Sequence, residues 1–117
     1  MLNDRAFIVE RIKYCCQRLH CDHHILEGAL RLLDKIERVK PDLIIRKNPN
    51  VVAAQLVCLV ARAQNHLDVT HTTLGNIMNT SAPSIGKYRH YLEPWVRRQH
   101  FMHVLSKMVE IKSKNMG

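Results

Sequence analysis

The stretch Asn48-Pro49-Asn50-Val51-Val52-Ala53-Ala54-Gln55-Leu56-Val57-Cys58-Leu59-Val60-Ala61-Arg62-Ala63 decides the fold. Asn48 is a cap residue, and Pro49 suits the first position of a helix, where its missing N–H costs nothing. From Val51 onward the stretch is apolar nearly all round. A helix with so little polar face is stable only when neighbours cover every side of it. The stretch therefore predicts a buried central helix, and its alanines let those neighbours come close.

Upstream, Ile8, Ile12, Cys15, Cys16 and Leu19 recur at steps of three and four. This predicts an amphipathic helix from Asp4, as cap, to about Leu19. Asp22 caps a second helix carrying Ile25, Leu26, Ala29, Leu30, Leu33 and Ile36, which Lys40-Pro41 ends. Residues 41–48 form a connector whose Leu43-Ile44-Ile45 packs down. Downstream of the central helix, Thr70 or Thr72 caps a short helix with Leu74, Ile77 and Met78. Asn79-Thr80-Ser81 reads as a tight turn. Ser81 then caps a fifth helix with Pro83 in its first turn and Ile85, Tyr88 and Leu92 on one face, stopped by Glu93-Pro94. A last helix runs from Arg97 to about Lys112, with Phe101, Val104, Leu105, Met108 and Ile111 at helical spacing, before a polar, frayed tail at 113–117. The fold class is all-α: five helices in residues 1–96, then a C-terminal basic amphipathic helix and tail in 97–117.

Composition narrows the function. The chain has 18 Lys and Arg against 10 Asp and Glu, a net charge of +8 on 117 residues. An extended anionic partner, duplex DNA first, is the expectation from that imbalance. No apolar run reaches the length of a membrane span. No secretory leader is evident at the start, and a membrane is not expected as partner. Cys15, Cys16 and Cys21 crowd together while Cys58 is far away, a poor disulfide framework that suits a reducing intracellular compartment.

The charge is unevenly spread. Residues 1–40 carry eight basic and six acidic side chains, residues 41–80 three and two, and residues 81–117 seven and two. The excess sits on and after the fifth helix. Residues 72–92 have the pattern of a helix-turn-helix, in which the start of the second helix enters a groove of DNA and the first helix braces it. Ser84, Lys87, His90 and Tyr91 are the outward positions, Ala82 is at the tip, and Arg89 lies beside them. With Arg97 and Arg98 they form the expected DNA-binding set: the cations neutralise phosphates, and the hydroxyls bond phosphates or base edges.

Asn48-Pro49-Asn50-Val51-Val52-Ala53-Ala54, the helix through Ala61, Thr70, Leu74-Gly75-x-Ile77 and Ser84-Ile85 together resemble a cyclin-like repeat of transcription factor IIB, most closely its second repeat. Leu19-(x)6-Leu26-(x)2-Ala29 is similar to that repeat's first two helices, so the resemblance spans roughly residues 5 to 94. It implies a five-helix cyclin fold with a buried third helix and a role at promoters. It also implies DNA contact through the helix-turn-helix and the TATA-binding protein as a partner. Carried over by position, Pro83 and Gly86 fall where the family's helix touches bases. The family has an arginine after its Thr-Ile pair; here Ser84-Ile85 is followed by Gly86, which leaves Lys87 and Arg89 to direct the backbone contact.

Other chemistries find less support. The same fold serves as a protein-binding module and activates kinases, but Ala61-Arg62-Ala63-Gln64 lacks the lysine that kinase-activating cyclins place there. His20, His23 and His24 with the cysteines are metal-ligand types, yet adjacent pairs do not converge on one ion, and no metal or other cofactor is expected. No phosphate loop, nucleophile motif or carboxylate pair points to an enzyme. Phe101, Leu105 and Met108 cover the domain's own core or, as the alternative, face a second copy of the chain.

Overall fold

The computed structural model describes residues 4–66 and 68–116, with side chains described over 5–66 and 68–99. Among the described residues the ordered elements are all helical: α1 (Asp4–Leu19), α2 (His23–Val39), a short 3-10 turn (Pro41–Leu43), α3 (Pro49–Ala63), α4 (His71–Met78) and α5 (Ala82–Met116). Local chemistry explains most of these boundaries. Asp22 Oδ1 accepts from the backbone N–H groups of His24 and Ile25 and opens α2. Asn48 Oδ1 accepts from the N–H of Asn50, with Pro49 at the first position of α3. Thr70, not Thr72, caps α4, its hydroxyl accepting from the N–H of Thr73. Ser81 does the same for Ser84 at the start of α5. Asp4, the expected cap, is already helical in α1.

Every residue of α3 from Val51 to Cys58 is buried, and so is Ala61. The helix packs against α1, α2, α4 and α5. Ile8, Ile12 and Cys15 meet it in one core cluster from α1, and Ala29, Leu33 and Ile36 from α2. A Cβ placed on Gly28 of α2 would lie 2.8 Å from Val60 Cγ1, so α2 and α3 approach closely there and a larger residue requires the Val60 side chain to shift. Arg11 Nε donates to Asn50 Oδ1 at 2.7 Å and ties α1 to the start of α3.

One core position breaks the apolar pattern. Gln55 is fully buried, and neither its Oε1 nor its Nε2 has a hydrogen-bond partner among the described residues. An unpaired buried amide costs about 1–3 kcal/mol. Gln55→Leu is therefore expected to raise the unfolding free energy by about 1–2 kcal/mol in a denaturant titration, with no change in helix content.

The fifth helix corrects the sequence expectation. Glu93-Pro94 does not stop it, the last two expected helices are one, and the expected frayed tail is helical as far as Met116. Residue 96, the expected end of the first unit, lies inside this helix. Proline in a helix interior loses one backbone hydrogen bond and crowds the preceding turn. Burial on both sides offsets that cost: Leu92 is fully buried and Trp95 is 7% exposed. Glu93 adds a brace across the proline, accepting from Arg89 one turn before and from Arg97 one turn after. The side chains of Phe101, Val104, Leu105, Met108 and Ile111 lie outside those described, as does Gly117.

Candidate nucleic-acid interface

α4, three residues of turn and the start of α5 form one continuous unit. Met78 ends α4, and Asn79 takes the left-handed conformation at φ 53°, which turns the chain sharply. The N–H of Thr80 donates back to the carbonyl of Gly75 at 3.0 Å. Ser81 then opens α5, and its hydroxyl donates to Ser84 Oγ at 2.8 Å. Ile85 and Tyr88 bury the inner face of α5, which leaves Ser84 and Lys87 exposed.

The second wall of the site comes from the connector between α2 and α3. The chain turns through Arg46, in the left-handed region at φ 61°, and brings Lys47 to α5. Lys47 Nζ sits 4.9 Å from the centroid of the Tyr91 ring. The Tyr88 hydroxyl donates to the carbonyl of Leu43 at 2.9 Å and fixes α5 against the same connector. Burial holds the Tyr88 phenol well above its ordinary range, so it stays a donor. Between these walls lies an open cleft of about 310 Å³, with Val51 and Tyr88 as its apolar floor and Lys47, Ser84, Lys87 and Tyr91 at its rim.

The expected DNA-binding residues separate into two groups. Ser84, Lys87 and Tyr91 share the cleft with Lys47. Arg98 is exposed and falls about three helical turns beyond Lys87, on the same side of α5. Arg89, His90 and Arg97 border a different groove together with Glu93 and Pro94. There Arg89 makes a two-bonded ion pair with Glu93, and Arg97 Nη2 donates to the same carboxylate at 2.7 Å. The Arg89 hydrogen bond is the main cause that holds the Glu93 carboxyl below its usual range. Two of the expected cations are thus partly neutralised by their own helix. Gly86, carried over as a base-facing position, lies where α5 meets α4: a Cβ there would be 3.6 Å from His71 Nδ1, an ordinary contact. Lys47 was missed because nothing local marks it; the basic pair Arg46-Lys47 directly before the Asn48 cap was the one available signal.

All four cysteines are free thiols, and Cys15, Cys16 and Cys58 are buried. Among the described residues, no group of three or more His, Cys, Asp or Glu side chains could hold a metal ion. Burial, then the neighbouring thiols, push Cys15 and Cys16 from 9.0 up to about 12. On the acid side, burial first, then Arg62 and Arg89, lowers His71 from 6.5.

These shifts set a stability window. Above pH 9 the unfolded chain sheds thiol protons that the folded chain keeps. The unfolded state then binds fewer protons, and stability falls as pH rises toward 12, by about 1.4 kcal/mol per pH unit for each thiol. The depressed values of His71 and Glu93 act in the opposite sense. Their contribution is complete above the unfolded-state values and is lost as pH falls. Thermal unfolding under reducing conditions is expected to show a plateau between about pH 7 and 9, with melting temperatures that drop on both sides.

No described helix is long and apolar enough to cross a membrane. In comparisons with known proteins, no family model, no curated protein and no solved structure matches this chain.

Proposed function

We propose that this chain is a cyclin-like protein that binds duplex DNA through the α4–turn–α5 unit and acts in transcription initiation or regulation inside the cell. The observation that carries the reading is the exposed, unpaired-sign rim on one side of α5. Lys87 and Ser84 at the start of that helix stand beside Lys47 from the connector, with no carboxylate among the cleft's lining residues. A helix start flanked by cations is suited to a groove edge, where side chains reach bases and lysines meet phosphates on either strand. The apolar α3 surrounded by α1, α2, α4 and α5 also fits the cyclin-like arrangement that the sequence resembles. A promoter-bound protein such as the TATA-binding protein is the protein partner in this reading, and α5 beyond Trp95 is the element available to a second copy of the chain.

The competing reading, a protein-binding module that is basic for other reasons, draws on the Glu93 pairing, which takes Arg89 and Arg97 partly out of play. A salt titration separates the two. Affinity for a random duplex is expected to fall linearly in log–log form with salt, since each neutralised phosphate releases counterions. Absence of duplex binding at low salt ends the DNA reading.

A further inference from the structure

We propose that the cleft between the connector and α5 is a subsite for one unpaired nucleotide. The phosphate would lie on Lys87 and Lys47 and the base against Tyr91. Three features point to this ligand. The cleft of about 310 Å³ is at the small end of ligand sites, the scale of one nucleotide rather than a peptide segment. Its floor, Val51 and Tyr88, is apolar and 7% and 4% exposed, while its rim carries two ammonium groups and the Ser84 and Tyr91 hydroxyls, a division that matches a flat ring joined to a phosphate. Tyr91, at the open end, keeps 55% of its surface exposed although it is a large aromatic residue.

The geometry along α5 is of the right length. Ser84 and Tyr91 are seven helical steps apart, about 10 Å of helix, so a phosphate at the first turn and a ring at the third belong to one nucleotide unit. Lys47 lies over Tyr91, showing that the ring's face attracts a cation and is reachable. A base that stacks on Tyr91 displaces the ammonium toward the phosphate it must meet, so both contacts form in one event. A base inside an intact duplex is stacked between its neighbours and cannot enter. The nucleotide must be a strand end, an extruded base, a single-stranded segment or a free nucleotide. The proposal rests on the DNA-binding reading only for the source of that nucleotide.

The test uses the full chain. Adenosine monophosphate is titrated by calorimetry beside adenosine and inorganic phosphate, the two halves of the ligand. Adenosine monophosphate is expected to bind at least tenfold more tightly than either half. Tyr91→Leu is expected to lower its affinity at least fivefold, with a smaller effect on phosphate. Lys87→Ala is expected to weaken both phosphate and the nucleotide. Arg31→Ala, on α2 and paired with Glu27, changes neither. Circular dichroism establishes that each variant is folded. Equal affinity for adenosine monophosphate and phosphate, or indifference to Tyr91→Leu, overturns the subsite. A second arm compares a blunt duplex with one bearing a three-nucleotide dT overhang. Tighter binding of the overhang, lost in Tyr91→Leu, assigns the nucleotide to DNA; nucleotide binding without that preference assigns it to a free nucleotide. Salt-dependent blunt-duplex binding with no nucleotide binding sinks the subsite and leaves the DNA reading standing. Nucleotide binding without duplex binding does the reverse.

Discussion

Replacing Lys47 and Lys87 together with alanine is expected to weaken binding to a random duplex by about tenfold for each lysine, the size of a lost charge-assisted contact. The slope of log affinity against log salt should become shallower by roughly two, because two phosphates no longer release counterions on binding. The same replacement at Arg89 is expected to do less. Its guanidinium already bonds Glu93 twice, and a phosphate would have to compete with that carboxylate. Arg31→Ala together with Lys35→Ala on α2 serves as the neutral control. Fluorescence anisotropy at several salt concentrations measures all three. Equal losses at Arg89 and at the two lysines would show that the cleft side of α5 is not the side that meets DNA.

The second large effect is expected at Gly75. A Cβ there would lie 2.8 Å from the carbonyl oxygen of Thr80 and 3.3 Å from the nitrogen of Ala82, both backbone atoms that cannot move without opening the turn. The turn is also closed by the Thr80 N–H on the Gly75 carbonyl. Gly75→Ala is expected to cost about 2–3 kcal/mol, roughly 10 °C in melting temperature, despite alanine's better helix propensity. Gly86→Ala supplies the opposite sign. Its Cβ meets His71 at an ordinary 3.6 Å, so the gain in helix propensity of about 1 kcal/mol is kept. Differential scanning calorimetry of the two variants measures both signs, and a Gly75→Ala protein as stable as the parent would refute the tight turn. A separate duplex assay on Gly75→Ala, at a temperature where it is folded, is expected to show weaker binding, because α4 no longer holds α5 at the same angle.

Much of the local structure was legible because its causes are local. Asp22, Asn48, Thr70 and Ser81 are short polar side chains that satisfy helix N–H groups within three residues. The three- and four-residue periods of Ile8–Ile12–Cys15 and Ile25–Ala29–Leu33–Ile36 mark faces that are indeed buried. Where local rules and burial disagree, the rules lost. Pro94 is a helix stop by propensity, yet Leu92 and Trp95 sink into the core on either side and Glu93 bridges the gap, so the helix continues. Gln55 reads as one polar residue on an apolar helix; only the packing on every side of it shows that its amide is stranded.

The site was legible by half. The opening stretch from Asn48 through Ala63 announced that something must surround it, and the caps announced where the other helices begin. Those inferences need only helical period, backbone hydrogen bonding and the exclusion of apolar surface from water, all of which act over a few residues. The +8 charge pointed to an anionic partner and located its excess at residues 81–117. What the tertiary structure alone decided is which charges stand together. Lys47 meets Tyr91 across more than forty residues of chain and shares a cleft with Lys87, and Arg11 bonds Asn50 at the start of α3. These pairings depend on how whole helices cross and how closely residues such as Gly28 and Gly75 let them approach, and no spacing along the chain encodes a crossing.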